Sequence, residues 1–179
     1  SLGISGSVLI SKKIADEIHE NVIANRRYLH IHPELSFHEY QTSAFIKSRL
    51  DEMNITWQPM ADTGIIALIK GDLQHDKVIA LRADIDALPV SETNTINYVS
   101  VNAGIMHACG HDAHTASLLG TAYILTKLKH MFGGTVKLIF QPAEEKLPGG
   151  ASIMIKEGVL ENPKPVAVFG QHVYPALEV

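Results

Sequence analysis

Met106–Phe140 reads MHACGHDAHTASLLGTAYILTKLKHMFGGTVKLIF. A run crowded with His, Cys and Asp passes into a helix-forming stretch, and that into an apolar strand. Ala116, Leu119, Ala122, Tyr123 and Leu125 recur at helical spacing, and Asp112 stands where an N-cap belongs. The spacing predicts a helix from Asp112 to about Met131, ended by Gly133-Gly134. Thr135–Phe140 is a short continuous apolar run of the kind that a sheet buries.

Downstream the alternation continues. Gln141-Pro142-Ala143-Glu144-Glu145 follows the strand, Pro148-Gly149-Gly150 turns the chain, and Ala151–Glu157 reads as a helix. Val166–Phe169 is another strand and ends in Gly170-Gln171-His172. Upstream, Ile55–Gln58 is a short strand closed by Pro59. Gly64–Lys70 and Lys77–Arg82 are Ile-rich strands joined by the turn-like GDLQHD, which makes them candidates for a hairpin. Asp84 and Asp86 follow at once in RADIDALP, and Ser91–Gly104 reads as a polar loop or short edge strand. Two helices open the chain. Ser11 to about His30 carries Ile14, Ile18 and Val22 with Ser11 as N-cap; His38–Met53 carries Ala44, Phe45, Leu50 and Met53, with Asn54 as the residue past its end. Arg26, Arg27 and His30 suit the negative end of the first helix dipole, and a ligand role for His30 or His32 is the lesser reading. Strands alternating with helices in the second half predict an α/β fold with a mixed, mostly parallel sheet.

Composition excludes several classes. The chain has 179 residues, 46% of them hydrophobic, enough for one core. A net charge of −4 with no basic stripe argues against nucleic acid, and 6% aromatic residues argue against a base-stacking platform. No apolar run reaches the roughly 20 residues that span a bilayer. The single cysteine, Cys109, has no partner for an internal disulfide, which fits a reducing, cytoplasmic setting. Residues 1–10 lack the basic and apolar regions of a signal peptide and read as an N-terminal extension or a scar of expression, Ser1-Leu2 standing where Met is expected.

Asp84 and Asp86, Glu144 and Glu145, and His172 all lie just past the carboxyl ends of predicted strands. In an open α/β sheet, ligands bind at that edge. Cys109 and His111 precede a helix N-terminus that faces the same way. The set offers a thiolate, at least two imidazoles and up to four carboxylates, which can hold two divalent ions and leave a carboxylate free as a base. Singly, each has a plainer role. The two aspartates can cap a turn, Glu144-Glu145 can be a solvated pair, His172 a hydrogen-bonded structural residue and Cys109 a small buried apolar one. Jointly those roles require unrelated coincidences at one edge. A nucleophilic Cys109 with His107 or His111 as base leaves Glu144, Glu145 and His172 without a part, and no G-x-S-x-G serine motif occurs.

The stretches RRYLHIHPELSFHEYQT, RADIDALP, MHACGHDAHT, FQPAEE and FGQHVYP, in that order over about residues 14–179, resemble the M20 metallopeptidase superfamily. The resemblance is greatest to its amidohydrolase branch of hippurate hydrolases, N-acyl-amino-acid and N-acetyl-diaminopimelate deacetylases and auxin-conjugate hydrolases. It implies a three-layer α/β/α, zinc-exopeptidase-like catalytic domain, of which residues 11–179 form the N-terminal part. The inserted dimerisation or lid domain and the C-terminal part of the catalytic domain lie beyond Val179, and with them a further histidine ligand and a homodimer. It further implies Cys109, His111, Glu145 and His172 as ligands of two divalent ions, zinc or manganese, with cobalt or nickel as alternatives. Glu144 is then the general base, Asp86 orients the site, and Asp84, which takes the place of a histidine ligand, is a further candidate. Metal-bound water is the expected nucleophile and an N-acyl amino acid the expected substrate, with a di- or aminopeptidase or a non-catalytic metal-binding fragment as alternatives. The sequence departs from the family where Lys146-Leu147-Pro148 follows FQPAEE in place of a glycine-rich run.

Overall fold

The computed structural model describes residues 4–174 and 176; Pro175 of the FGQHVYP stretch and residues 177–179 lie outside it. Helix α1 (Ile4–Ile31) and helix α2 (Tyr40–Glu52) precede three strands, β1 (Trp57–Met60), β2 (Gly64–Lys70) and β3 (Leu73–Asp84). Helix α3 (His111–Lys127), a single 3₁₀ turn, β4 (Gly133–Gln141), α4 (Gly150–Lys156) and β5 (Ala167–Gly170) complete the order. The sheet runs β1-β2-β4-β3-β5. β1–β2 and β2–β4 pair antiparallel, β4–β3 and β3–β5 parallel, so the parallel half is the half that carries the site.

Period-two burial sends alternate residues of each strand to opposite faces. On one face Ile65, Ala67 and Ile69 of β2, Ala83 of β3 and Val136, Leu138 and Phe140 of β4 pack under Ile46 and Leu50 of α2 and Leu118, Leu119 and Ala122 of α3. On the other, Ile66, Ala80 and Ile139 meet Met154 of α4 and Val159. This is the three-layer arrangement the sequence predicts. Lys137 faces the second layer fully buried, and its Nζ donates to Val159 O at 2.7 Å and Glu161 O at 2.8 Å, which fixes the segment leading into β5.

Five local expectations change. β2 and β3 do not form a hairpin, because β4 lies between them. β3 starts at Leu73, within the stretch read as a turn, and the chain steps across the start of β4 at Gly71, where a Cβ would run into the Phe132 carbonyl oxygen. Ser11 caps nothing. α1 begins at Ile4 and runs through it, and the Ser11 hydroxyl turns back to Val8 O. Asp112 lies inside the first turn of α3 rather than at its cap, which is Gly110 with φ +83°. Pro59 does not end β1 but sits within it, as an edge strand allows. The end of α2 follows expectation: Asn54 has φ +56°, with Asn54 N–H donating to Asp51 O and Ile55 N–H to Leu50 O, the Schellman pattern.

Candidate metal centre

β3 and β4 end side by side, Asp84 opposite Gln141. From there the chain carries Asp86 one way and Glu144 and Glu145 the other, while α3 begins at His111 beneath them. The crossover through α3 packs on one face and α4 on the other, so this edge is where the connections diverge and leave a crevice.

His111 is the hinge of the cluster. Its Nδ1 lies 2.9 Å from Asp86 O and 3.1 Å from Asp86 Oδ1, so Nδ1 is the nitrogen that donates and Nε2 the one turned to the crevice. That Nε2 is buried without a hydrogen-bond partner among the described residues. It stands 3.6 Å from Asp84 Oδ2, 3.8 Å from Glu144 Oε2 and 3.7 Å from Glu145 Oε1. Cys109 Sγ is 3.5 Å from His172 Nε2. Donor atoms of Cys109, His111 and His172 lie within 4.8 Å of one another, as do those of His111, Glu144 and Glu145. His172 Nδ1 donates to Val173 O at 2.7 Å, which leaves Nε2 to face the Cys109 sulfur. The five residues expected as ligands and base therefore meet at one place, with Asp86 behind His111.

An orphaned buried nitrogen costs about 1–3 kcal/mol. Aimed at three carboxylates, with a thiol and a second imidazole beside it, it fits a divalent cation of the zinc class. Asp84 is otherwise engaged: Oδ2 takes Arg82 Nη1 at 2.7 Å and Oδ1 takes His114 Nδ1 at 2.7 Å.

The charges explain the protonation states. Burial pushes the Asp86 carboxyl up, but hydrogen bonds from His111, Ser36 Oγ (2.7 Å) and the Glu145 amide (3.0 Å) outweigh it and hold the group at about 2. Burial would lower His111, yet Asp86, Asp84 and Glu145 raise it. Burial pushes the Cys109 thiol up, and Glu145, Asp84 and Glu144 add to that, to about 11. A nucleophilic cysteine needs electropositive surroundings that stabilise its thiolate; the carboxylates around Cys109 do the opposite. His107 is no base for it either. Burial pushes it down to about 4 and neither ring nitrogen has a partner.

Sequence reading missed several supports. Glu39 is fully buried, accepting Ala143 N–H at 2.7 Å and Thr63 Oγ1 at 2.8 Å, and so pins the turn (Ala143 φ +47°) that presents Glu144. His30 is the basic residue in the last turn of α1, as expected, but it does more than face the dipole. It lies buried between Asp112 Oδ2 at 2.8 Å and Glu92 Oε1 at 3.0 Å, with Arg26 Nε also 2.9 Å from Asp112, and together they clamp the start of α3 to α1. His32 stacks on Tyr28, away from the cluster. His114, one turn beyond His111 and within the same dense run, was the one support whose spacing could have been read.

The model of peptidase family M20/M25/M40 matches residues 80–179. An N-acyl-L-amino acid amidohydrolase of Geobacillus stearothermophilus is 44% identical over 168 residues, covering 93% of this chain and 45% of that protein. An N-acetylcysteine deacetylase of Bacillus subtilis is 47% identical over 163 residues, covering 90% of this chain and 42% of that protein. The crystal structure of the Bacillus subtilis YXEP protein, described as a dinuclear metal-binding peptidase of the M20 family, superposes with TM-score 0.86 at 46% identity over 92% of this chain and 45% of that one. The chain thus spans less than half the length of these relatives. With its motifs in order and its cluster at the sheet edge, the chain belongs to peptidase family M20/M25/M40.

Proposed function

We propose that this chain carries the metal-binding part of an amidohydrolase that cleaves the amide bond of N-acyl amino acids. Cys109, His111, Glu145 and His172 hold two divalent ions, zinc or manganese, with Glu144 as the general base and Asp86 orienting His111. One observation carries the reading: the bare, buried His111 Nε2 faces Glu144 and Glu145, with Cys109 and His172 within ligand distance. The names of the relatives at about this level of identity support the acyl-amino-acid substrate over a peptide.

When bound, the ions supply Lewis acidity and bring a water's pKa from 15.7 to about 7. The chain's residues do the rest. The Glu145 backbone is held by its amide on Asp86 Oδ2, and the Glu144 side chain, 41% exposed against 24% for Glu145, takes a proton at Oε2 and passes it to the leaving amine. Asp84, bound by Arg82 and His114 and 3.6 Å from His111 Nε2, serves mainly to hold His114 and remains the further candidate ligand. No described helix is long and apolar enough to cross a membrane, and a cytoplasmic homodimer is the setting that suits the reading.

The test is a pair of variants in the full-length enzyme, assayed on N-acetyl and N-benzoyl amino acids with metal content measured alongside. Glu144→Gln should keep metal and lose about 10²–10⁴ in turnover, while Glu145→Gln should lose metal as well. The reverse pattern would show the two assigned backwards, and near-normal turnover in both would refute the mechanism.

A further inference from the structure

The residue that carries His172 has little of its own to hold it. β5 pairs only with β3, and that ladder ends at Gly170 opposite Arg82. Beyond it the segment 171–174 is exposed and belongs to no strand. What ties it down lies on one side of α3. Gln171 Nε2 donates to Ser117 Oγ at 2.7 Å. Val173 N–H donates to His114 Nε2 at 2.9 Å. The Val173 side chain lies on Gly110, where a Cβ would run into its Cγ2. Residues 110, 114 and 117 are neighbours on a helix surface, so these contacts form a single seam.

We propose that His114 is a positioning residue, whose Nε2 docks the arm bearing His172 against the start of α3. The proposal rests on the reading of His172 as a metal ligand. His114 is 2% exposed, and its ring is 4.7 Å from that of His172. Its Nδ1 meets Asp84 Oδ1 at 2.7 Å, and Asp84 is itself held by Arg82, so Nδ1 carries the proton and Nε2 the lone pair. Each nitrogen is thereby committed. That explains how His114 can lie among potential donor groups with Asp84 and His111 and not act as a ligand. The relay Arg82–Asp84–His114 fixes the one tautomer that can accept the Val173 amide. That amide is fixed next to His172, whose Nε2 must stay near Cys109 Sγ.

Two variants separate this from a structural role. In His114→Gln the amide oxygen reaches the Nε2 position and can still accept from Val173. In His114→Asn the amide replaces Nδ1, keeps the contact to Asp84 and falls short of Val173. Hydrogen exchange at the Val173 amide is measured in chelator, and Co²⁺ affinity by competition, with the thiolate charge-transfer band reporting Cys109 ligation. His114→Asn should lose roughly tenfold or more of the Val173 protection and about 10–100-fold of Co²⁺ affinity. His114→Gln, which gives up the Asp84 bond but keeps the one to Val173, should lose clearly less than His114→Asn in both. Val173→Pro deletes the donor at a half-exposed position while leaving His114 and its bond to Asp84 in place, and should reproduce the Asn variant's loss of Co²⁺ affinity even if that variant folds poorly. Full Val173 protection in His114→Asn, equal losses in Asn and Gln, or normal Co²⁺ affinity in Val173→Pro would each overturn the proposal. His172→Ala distinguishes the two readings. If it leaves Co²⁺ affinity unchanged, the ligand assignment fails, while Val173 exchange in the metal-free protein still decides the docking.

Discussion

Replacing Asp86 by Asn tests the centre without touching a ligand. The Asp86 carboxylate accepts three hydrogen bonds, from Ser36 Oγ at 2.7 Å and the Glu145 amide at 3.0 Å on Oδ2 and from His111 Nδ1 at 3.1 Å on Oδ1. Asparagine offers one acceptor oxygen. Left at the Oδ2 position, it serves Ser36 and Glu145 and turns its NH₂ against the His111 N–H, which keeps only the Asp86 carbonyl at 2.9 Å. A hydrogen bond to a charged group contributes about 1.5–3 kcal/mol, and at 1.4 kcal/mol per decade that is roughly a 10–100-fold loss of metal affinity, the usual effect of removing a carboxylate behind a ligating histidine. Fold stability should suffer too. A carboxyl held at about 2, against an ordinary 3.8, contributes on the order of 2 kcal/mol at neutral pH. The sign follows from the depression: this stability is present above the unfolded value and lost as pH falls toward the folded one. For a chain of this size that corresponds to roughly 4–8 °C in Tm. Competition titration with Zn²⁺ or Co²⁺ and melting in chelator, both at pH 7, measure the two effects. Metal affinity within about twofold of wild type would refute the claim that Asp86 sets the His111 ring, because one lost charged hydrogen bond cannot be that small.

Cys109 in the metal-free folded protein should alkylate slowly at neutral pH, its rate still rising as pH approaches about 11, whereas in urea the rate should level off near about 8.5; a folded-state plateau near the urea value would contradict the carboxylate-crowded site. His30 is raised above 6.5, first by its bond to Asp112, so it stabilises the fold below that pH and the contribution fades as pH rises through its folded value. The Tm gap between wild type and His30→Gln should therefore narrow from pH 6 to pH 9; a constant gap would mean the imidazolium is not what holds α1 to α3. Phe140→Ala empties a fully buried site on the central strand, opposite Ile65 and Ala83, and should cost about 3–5 kcal/mol in urea unfolding. A loss under about 1 kcal/mol would mean the core closes around the gap.

What the sequence made legible were features with local causes. Apolar runs with acidic residues just past them gave both the strands and the edge on which Asp86, Glu144, Glu145 and His172 meet. Period 3.6 gave α2 and α3 to within two residues at most termini, and Asn54 gave the stop of α2. Asp112 shows where this fails. Asp is a favoured N-cap, and by local rules position 112 was a good one. Its carboxylate instead takes Arg26 and His30, more than eighty residues earlier, and no window of sequence records that pairing. Glu39 and Ser36 escaped for the same reason. Their partners are the Ala143 amide and the Asp86 carboxylate, and their roles exist only once α2 and the sheet have met.

The misplaced hairpin follows from the same limit and bears on the site. Gly64–Lys70 and Leu73–Asp84 are adjacent in sequence and antiparallel in direction, and adjacent antiparallel strands usually pair. The deciding strand is β4, whose side chains are buried along nearly its whole length on both faces, the pattern of a central strand with both edges paired. It takes β2 on one edge and β3 on the other, and β3 is left beside β5 rather than β2. Only in that order do the carboxyl ends of β4, β3 and β5 become neighbours. A β2–β3 hairpin would have set β2's opposite end beside Asp84, and removed Glu144 and Glu145 from its side. The insertion of β4, invisible in the local pattern, is therefore what brings the two halves of the cluster within ligand distance of His111.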